Sequence, residues 1–505
     1  MTDTQRTPRL RWRGLALTFI AASFWPLTFM VVNLRSVGRP ERVLTILAVA
    51  WVIGILSLLV MQAIGLHLEV AESTSFVLLV CLMSGGAVLR VFGAVAYALL
   101  LAPAFAGWLI SRMKGHWIVA GTIWGMAVAL GVGPTTALIN SLQASSSSDF
   151  LDAELLSIQF AARPDVFVIV FDSYPGLIAA ELDALRPGDV DLATELLARG
   201  FEVPASSWAS YWNTLLSIPS MLEMGYPVVN ADWEHSATKR DILRVLSGDN
   251  SVIDVMRENG YLTHMVESGW SSLSCGGNFD ECVPAPVIDE ATYLTLRHTF
   301  AWAYLQYEYP GPYAEGTLSA FEWLLTHGGL LSLSDEPDFV FSHVMAPHPP
   351  FYLDSDCSIT ATRERGGESL DMQGVPIEVR DALLVEQMDC VDTFMLEFAE
   401  RVSPEDIIVF VSDHGMDRRH QTRLGSAEWS QDATIERMNN LLAVRLPDGC
   451  SMGQSVILPN LFRRIFGCLA TSNVAALPER MWINPLQELD RGLVMELVRG
   501  DPGNG

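Results

Sequence analysis

Five apolar stretches open the chain, and nothing comparable follows them. They cover residues 14–34, 44–66, 74–89, 91–111 and 117–139. A helix that crosses a bilayer needs roughly 20 apolar residues, so we expect about five membrane-spanning helices. The third stretch is short, and Arg90 separates it from the fourth, which predicts a tight helical hairpin. The first stretch is not a cleavable signal peptide, because it is long, lacks a small-residue cleavage site and is followed by further spans.

The pattern changes after residue 160, where short apolar runs alternate with helical patterns. Buried strands are predicted at 166–171, 262–266, 339–341 and 407–411. Apolar positions recur at helical spacing over 192–199, 253–259, 379–400 and 458–466. Strands that alternate with helices predict an α/β domain with a largely parallel central sheet. In such sheets, ligands bind at the carboxyl ends of the strands.

Composition supports a division into two parts. Of the 505 residues 50% are hydrophobic, the mean hydropathy is +0.28 and the net charge is −26. Residues 1–140 carry a net charge of +6, whereas the rest carries −32. This excludes a single soluble domain and argues against nucleic-acid binding, which requires a basic face. We predict a transmembrane domain at 1–140, a polar linker at 141–160 and a water-soluble domain at 161–505.

Basic residues in the short loops predict the orientation of the membrane part. Four arginines precede the first span, which places the N-terminus in the cytoplasm. With five spans, the basic loop at 112–114 is also cytoplasmic, and the acidic domain lies outside. Three arginines between residues 35 and 42 would then also face outside, against the rule. Four spans would place the acidic domain inside, and the sequence leaves that alternative open.

The cysteines bear on the same question. Cys81 lies in a predicted span, and the other six of the seven lie in the acidic domain. An even number of cysteines in a domain outside the membrane predicts disulfides. Proximity along the chain suggests the pairs Cys275–Cys282, Cys357–Cys390 and Cys450–Cys468, one of several connectivities that six cysteines allow. Six reduced thiols are the alternative, and a zinc site is less favoured because no CxxC pair exists.

Candidate chemistry lies in three segments. Asp172 ends the first predicted strand of the α/β part. Thr214 lies where the chain changes from polar to apolar residues. Asp413 and His414 follow a strongly apolar strand. A divalent metal binds carboxylates and imidazoles that converge on one point, and it lowers the pKa of a bound hydroxyl. If Thr214 begins a helix, its side chain lies at the positive end of the dipole, which suits a phosphoryl group. Alone, each residue could instead be a helix cap or a turn.

In this order and on these elements, the segments resemble the alkaline phosphatase and sulfatase superfamily. The layout is most similar to lipoteichoic acid synthases and lipid A phosphoethanolamine transferases, which have about five spans and an extracytoplasmic sulfatase-like domain. The resemblance covers the whole chain in layout and about residues 163–470 in motif order. It implies that Thr214 is the catalytic nucleophile and that Asp172, Thr214, Asp413 and His414 bind one divalent metal, zinc, manganese or magnesium.

The resemblance also implies a histidine that contacts the phosphate or a second metal. His348 is the first candidate for substrate binding, because paired prolines hold its loop, and His343 is the second. The late histidine of the family has no clean counterpart here. His420 is the one histidine after His414, and its spacing differs, which leaves a second metal in doubt.

A departure from the family separates two functions. A sulfatase requires a C/S-x-P-x-R motif, and the segment from Ser217 has Met221 in place of the arginine. This argues against a sulfatase and leaves Ser217 as a rival nucleophile. We therefore expect a metal-dependent phosphotransferase or phosphohydrolase in the cytoplasmic membrane, acting at its outer face on a membrane lipid or lipid-linked phosphodiester. The alternatives are a sulfuric ester hydrolase and a non-catalytic membrane scaffold.

Overall fold

The described part of the chain has helices in its N-terminal region and alternating strands and helices afterwards. The computed structural model describes residues 11–32, 40–63, 71–72, 74–80, 82–83, 155–182, 191–227, 239–273, 275, 278–286, 288–299, 301, 311–331, 333, 336–360, 376–418, 429–470, 474–483 and 496–500. The helices are α1 Trp12–Val32, α2 Pro40–Ala63, α3 Leu177–Leu182, α4 Leu192–Ala198, α5 Thr214–Leu222, α6 Lys239–Leu246, α7 Ser251–Glu258, α8 Glu290–Arg297, α9 Pro312–Leu331, α10 Ile377–Arg401, α11 Gln431–Met438 and α12 Leu461–Leu469. The strands are β1 Val166–Phe171, β2 Phe201–Glu202, β3 Ser206–Trp208, β4 Leu262–Val266, β5 Glu281–Val283, β6 Asp338–Val344, β7 Ile407–Val411, β8 Leu442–Arg445, β9 Ser455–Ile457, β10 Arg480–Ile483 and β11 Glu496–Gly500.

The chain divides into two compact units. The first comprises Met1–Ser145 together with Glu290–Tyr309, and the second comprises Ser146–Asp289 together with Pro310–Gly505. In the first unit, α1 and α2 pack against each other, and α8 packs against both. Alanines at the buried face of the first two helices allow close approach of their backbones.

One described helix meets the requirements for crossing a membrane by length and composition. It is the segment Glu41–Ala63 of α2, and α1 contributes a shorter apolar segment, Gly14–Ser23. The first two predicted spans are therefore helical where they are described, and the third is helical over 74–80. The fourth and fifth predicted spans lie outside the described residues, so the number of spans stays a prediction.

The second unit is built on a seven-stranded sheet in the order β2-β8-β7-β1-β6-β4-β5. The five strands from β7 to β5 run parallel, whereas β8 pairs antiparallel with both β7 and β2. The predicted α/β domain is confirmed, and its largely parallel sheet becomes mixed at one edge. No sequence prediction covered β8.

Strand β1 lies at the centre of this sheet and is buried along its whole length. Val168 and Val170 pack in a cluster with residues of α5, α7 and α12 on one face. Phe167 and Ile169 pack with residues of α4, α9 and α10 on the other. A strand covered on both faces has no polar side, which explains its continuous apolar run.

Most predicted elements are present, with adjusted ends. Strands β1, β4 and β7 have their predicted limits, and β6 is longer than the predicted strand at 339–341. His343 therefore lies inside β6 rather than after it. The predicted helix at 458–466 is divided into a 3-10 turn, Leu458–Asn460, and α12.

All six cysteines of the acidic part are paired. The disulfides are Cys275–Cys282, Cys357–Cys390 and Cys450–Cys468, which confirms the predicted connectivity. The second of them ties the loop after β6 to α10, and the third ties the segment after β8 to α12. Cys81 lies outside the described residues.

Candidate active site

The site forms where three parallel strands end. Val170 of β1 lies opposite His343 of β6 and Val411 of β7. Asp172 comes just after β1, and Asp413 follows β7, so the two carboxylates meet at the same edge of the sheet. Asp172, Asp413 and His414 are buried, and one ligand atom of each lies within 4.8 Å of the others.

Thr214 reaches this cluster from the first position of α5. The helix is capped by Asn213, whose side chain accepts a hydrogen bond of 3.0 Å from the Leu216 amide. The Thr214 hydroxyl is therefore not needed as a cap. Its Oγ1 lies 3.1 Å from Nε2 of His414 and 3.5 Å from Oδ2 of Asp172. The free amides of the first helical turn carry partial positive charge, which favours an anion here.

His414 presents a lone pair to this hydroxyl. Its Nδ1 lies 2.9 Å from the Gly415 carbonyl and donates to it, which leaves Nε2 as an acceptor. Burial lowers the pKa of His414 well below its usual value, and the nearby charge of Arg437 lowers it further. The imidazole is therefore neutral, the form in which histidine binds a metal.

The pKa values of the two carboxylates shift in opposite directions. Burial, then the charge of Asp172, raises the pKa of Asp413. Burial acts in the same direction on Asp172, but the charge of His348 and the contact with His343 outweigh it and hold its pKa low. Two carboxylates that share one buried site ionise together only if a cation offsets their repulsion.

The donor set fits one divalent metal. It consists of two carboxylates, a neutral imidazole and a hydroxyl, and such hard oxygen and nitrogen donors suit zinc, manganese or magnesium. Oδ2 of Asp413 is buried and lies 3.1 Å from Nε2 of His414. Because that imidazole donates from Nδ1, its Nε2 carries no proton, and two buried acceptor atoms face each other. Such a pair is costly unless a cation lies between the two atoms, so the contact supports a metal at this point.

Ser173 connects the ligand residues, although the sequence analysis did not single it out. Its amide donates to Oδ1 of Asp413 over 3.1 Å, and its hydroxyl donates to Oδ1 of Asp172 over 2.9 Å. The same hydroxyl lies 3.3 Å from Nδ1 of His414. These contacts require a backbone φ of +63° at Ser173, a conformation that costs a non-glycine residue free energy.

Arg437 also borders the cluster, although nothing in the sequence had assigned it a role. Its Nε donates to the Trp212 carbonyl over 2.7 Å, and its Nη1 donates to the Gly415 carbonyl over 2.9 Å. Its Nη2 lies 3.2 Å from Nε2 of His414. Arg437 and Thr214 are partly exposed, whereas the three buried ligands lie beneath them.

The two candidate substrate-binding histidines, His343 in β6 and His348 in the loop after it, lie near Asp172 but differ in their surroundings. His343 is fully buried, with Nε2 at 3.5 Å from Oδ2 of Asp172 and its ring against Trp270. Neither of its ring nitrogens hydrogen-bonds to a described residue. His348 is partly exposed, donates from Nδ1 to the Pro349 carbonyl and lines a small open pocket with Tyr313 and Tyr352. His348 is thus the more accessible of the two to a substrate.

Ser217, the rival nucleophile, points into other contacts. It is fully buried in α5, and its hydroxyl donates to the Tyr211 carbonyl over 2.7 Å. Met221, at the position of the sulfatase arginine, is also buried. His420 lies outside the described residues.

Part of the chain matches a known protein family. Residues 214–437, from Thr214 to Arg437, match the sulfatase family model. No curated protein matches the sequence.

Three solved structures illustrate the similarity of shape. The integral membrane lipooligosaccharide phosphoethanolamine transferase A of Neisseria meningitidis is 12% identical, with 90% of this chain and 95% of that chain covered and a TM-score of 0.42. The C-terminal periplasmic domain of EcEptC from Escherichia coli is 12% identical, with coverages of 67% and 93% and a TM-score of 0.39. The putative sulfatase yidJ of Bacteroides fragilis is 14% identical, with coverages of 69% and 84% and a TM-score of 0.37. The family match identifies a sulfatase-like enzyme domain over residues 214–437 of this chain.

Proposed function

We propose that this chain is a metal-dependent phosphotransferase or phosphohydrolase in which Thr214 is the nucleophile. The position of the Thr214 hydroxyl carries the proposal. It lies at the first turn of α5, 3.1 Å from His414 Nε2 and 3.5 Å from Asp172 Oδ2. A hydroxyl beside a neutral imidazole and two buried carboxylates is suited to activation by a shared cation.

Asp172, Asp413, His414 and Thr214 would hold a single divalent metal. When bound, the metal lowers the pKa of the Thr214 hydroxyl and withdraws charge from the phosphoryl oxygen. Groups of the protein itself orient the imidazole and bind the phosphoryl group. The Gly415 carbonyl keeps Nδ1 of His414 protonated, and the first-turn amides of α5 favour the phosphoryl anion.

The reaction proceeds in two displacements. Thr214 releases its proton to solvent, and its Oγ1 attacks phosphorus. The bond from Oγ1 to phosphorus forms, the bond to the leaving alcohol breaks, and that alcohol takes a proton from solvent. In the second step an acceptor alcohol, or water, attacks phospho-threonine and loses its proton, and Thr214 leaves and regains one. His348 is assigned to the substrate, because it is the accessible histidine beside Asp172.

We favour a lipid headgroup phosphodiester as substrate, and transfer over hydrolysis. The apolar segment Glu41–Ala63 and the short linker at 141–160 keep the catalytic region near a bilayer. A phospho-threonine is a stable ester that can wait for an acceptor alcohol. The domain charge of −32 repels anionic lipid, so Arg437 and the metal must offset that field at the mouth of the site.

We place the catalytic domain outside the cytoplasm, at the outer face of the membrane. Three disulfides within it support this, because disulfides persist in oxidising compartments. The arginine-rich N-terminus supports the same orientation. Five spans, the fourth and fifth of them beyond the described residues, complete this proposal.

A sulfuric ester hydrolase is the second candidate, since the family model is that of sulfatases. It is less well supported, because Ser217 is hydrogen-bonded in the core of α5 and Met221 replaces the required arginine. The same assay can separate the two functions.

The test is lipid cleavage by the purified full-length protein in detergent. Phosphatidylglycerol and phosphatidylethanolamine are supplied separately, and diacylglycerol release is followed with and without zinc, manganese or magnesium. We expect metal-dependent release that the Thr214→Ala variant lacks, together with a phosphoethanolamine or phosphoglycerol group on Thr214, according to the lipid supplied, detected by mass spectrometry. Thr214→Ala should still bind metal, because both carboxylates and the imidazole remain, whereas Asp413→Asn should lose both metal and activity.

Thr214→Ser is the matched control, since it keeps a hydroxyl and should retain part of the turnover. Two results would contradict the proposal. One is wild-type turnover by Thr214→Ala with an inactive Ser217→Ala. The other is absence of lipid cleavage together with rapid hydrolysis of an aryl sulfate, which would identify a sulfatase.

A further inference from the structure

Arg437 has one nitrogen that is directed at a proposed metal ligand rather than at a backbone carbonyl. Its Nε and Nη1 are held by the carbonyls of Trp212 and Gly415, at 2.7 and 2.9 Å. These carbonyls belong to residues near Thr214 and next to His414, so the guanidinium is anchored to both segments of the site. The remaining nitrogen, Nη2, is directed at Nε2 of His414 over 3.2 Å.

Nε2 of His414 cannot accept a hydrogen bond from each neighbouring donor and also bind a metal. Because Nδ1 donates to the Gly415 carbonyl, Nε2 has a single lone pair, and both Arg437 and Thr214 approach it. A metal bound to His414 would take this lone pair. Nη2 of Arg437 would then lose the contact with His414 that the structure shows, and the loss of a partner costs a partly buried, charged donor more than a neutral one.

We propose that Arg437 is the second cation of the site and binds a phosphoryl oxygen once the metal occupies Nε2 of His414. The inference rests on the proposed phosphoryl chemistry. An anionic oxygen is the acceptor that a guanidinium donor binds best, and arginine is favoured wherever phosphate is recognised. No second cluster of metal ligands is found among the described residues, so the guanidinium supplies positive charge that a second ion would otherwise provide.

The same geometry makes Arg437 and the metal competitors for His414. The guanidinium engages the lone pair that the metal requires, and its charge opposes that of the arriving ion. Removing Arg437 should therefore strengthen metal binding while weakening phosphate binding. A purely structural arginine would do the reverse for metal, because its loss would loosen the loops that carry Thr214 and His414.

The test compares the full-length wild type with Arg437→Met and Arg437→Lys in detergent. Metal affinity is measured by competition with a chromophoric chelator, and inorganic phosphate binding is measured calorimetrically on the metal-loaded proteins. We expect Arg437→Met to bind metal about tenfold more tightly, the scale on which a nearby like charge acts. It should bind phosphate about tenfold more weakly and lose about 100-fold in the lipid transfer rate. Arg437→Lys keeps the charge, so its metal affinity, phosphate affinity and transfer rate should lie between those of the wild type and those of Arg437→Met.

Arg445→Met is the matched control. Arg445 is also a buried arginine that donates to backbone carbonyls, those of Ala399, Val402 and Ser403, but it is not among the residues of the site. Its loss should reduce thermal stability and leave metal and phosphate affinities unchanged.

The outcomes separate this inference from the proposed function. Weaker metal binding by Arg437→Met would identify a structural clamp, and unchanged phosphate affinity would show that the guanidinium does not meet the anion; either result overturns the inference. Both affinities are measured without turnover, so they stand even if the lipid assay fails. Conversely, lipid transfer that depends on Thr214, together with unchanged metal and phosphate affinities in Arg437→Met, would support the proposed function and contradict the role of Arg437 as a second cation.

Discussion

Ser173 orders the buried ligands because one residue contacts three of them. Its amide and hydroxyl reach Asp413 and Asp172, and its hydroxyl also approaches His414. Groups that orient metal ligands contribute about 10–100-fold to metal affinity. The unusual φ of +63° at Ser173 is the conformational cost of placing one side chain among three ligands.

The Ser173 hydroxyl acts on metal binding, and its backbone conformation acts on stability, so substitutions should change the two properties separately. Ser173→Ala and Ser173→Gly both remove the hydroxyl, so each should bind metal about 10–100-fold more weakly than the wild type. Glycine accepts the positive φ, so Ser173→Gly should be more stable than Ser173→Ala by about 1 kcal/mol. Chelator competition and thermal unfolding check the two effects.

Ser220→Ala is the control for that pair, since the Ser220 hydroxyl donates only within α5, to the Ser217 carbonyl. It should leave metal affinity unchanged. Equal metal affinity in Ser173→Ala and the wild type would show that Ser173 does not position the ligands.

At the same scale, the sequence revealed residues whose chemistry is plain from their type and their place after a strand. Asp172, Asp413 and His414 were candidates for that reason. Ser173 and Arg437 act through backbone conformation and through contacts between segments far apart in the chain. Ser173 and His414, for example, are 241 residues apart. A single sequence carries no sign of such contacts.

Gly415 belongs to the same class of hidden constraints. A Cβ atom at this position would lie 2.1 Å from the Glu436 carbonyl oxygen and 2.8 Å from that of Asn439. The glycine after His414 is therefore needed for the close approach of the end of α11, which carries Arg437. The sequence showed the glycine but not the reason for it.

At the scale of elements, β1 joins the site at one end to an acidic group at the other. Asp165 precedes β1, and its Oδ1 accepts a hydrogen bond of 2.8 Å from the Asp338 amide at the start of β6. Burial, and then the charges of Asp406 and Asp338, raise the pKa of Asp165 to about 7 despite that hydrogen bond. The folded protein therefore keeps a proton there that the unfolded chain has lost above pH 4.

The consequence is a stability that falls as pH rises from about 4 to about 7. Over this range the folded state binds the proton and the unfolded state does not, so raising the pH favours unfolding. Asp165→Asn cannot ionise and retains an acceptor for the Asp338 amide. It should exceed the wild type in stability by about 1.5 kcal/mol at pH 5 and by up to about 4 kcal/mol at pH 8, so the difference grows with pH. Thermal unfolding at the two pH values measures this difference.

Asp280 is a useful counterpart, because its pKa shifts the other way. Against the effect of burial, hydrogen bonds from Thr263 and Arg257 lower the pKa of Asp280. Asp280→Asn should therefore destabilise the protein at both pH 5 and pH 8. An Asp165→Asn variant that also loses stability at pH 8 would contradict the assignment of a costly buried charge.

The elements themselves were predictable in proportion to how continuously apolar they are. Strands β1 and β7 had the predicted limits, because strands buried on both faces contain no polar interruption. The paired strands β3 and β9 were not predicted, since they are short and begin with serine. β8 runs antiparallel at the sheet edge, a direction that apolar periodicity does not reveal.

At the scale of the whole molecule, charge and apolarity predicted two parts, but not the path of the chain between them. The segment Glu290–Tyr309 belongs to the first unit although it lies within the acidic part of the sequence. Its helix α8 packs against α1 and α2 and buries Ala291, Thr292 and Thr295. Its composition is that of an ordinary amphipathic helix, so nothing in the sequence distinguished it from helices of the catalytic part.

This path predicts the behaviour of a truncated protein. A chain that starts at residue 146 would keep α8 without α1 and α2, and the face that they cover would be exposed. We expect that truncation to aggregate in gel filtration unless detergent is present. Replacing 290–309 with a glycine-serine linker of equal length should give a monodisperse protein. A monodisperse truncation with 290–309 intact would show that α8 needs no cover.

The excursion of the chain also sets the order in which the site can be assembled during synthesis. Asp172 and Thr214 are made before Glu290–Tyr309, whereas His343, Asp413, His414 and Arg437 are made after it. The ribosome therefore completes the helix that packs in the first unit before it supplies the second half of the candidate site. Until then the emerging polypeptide holds Thr214 with only Asp172 of the three proposed buried ligands, so the proposed metal site is incomplete and the chain should be inactive at that stage.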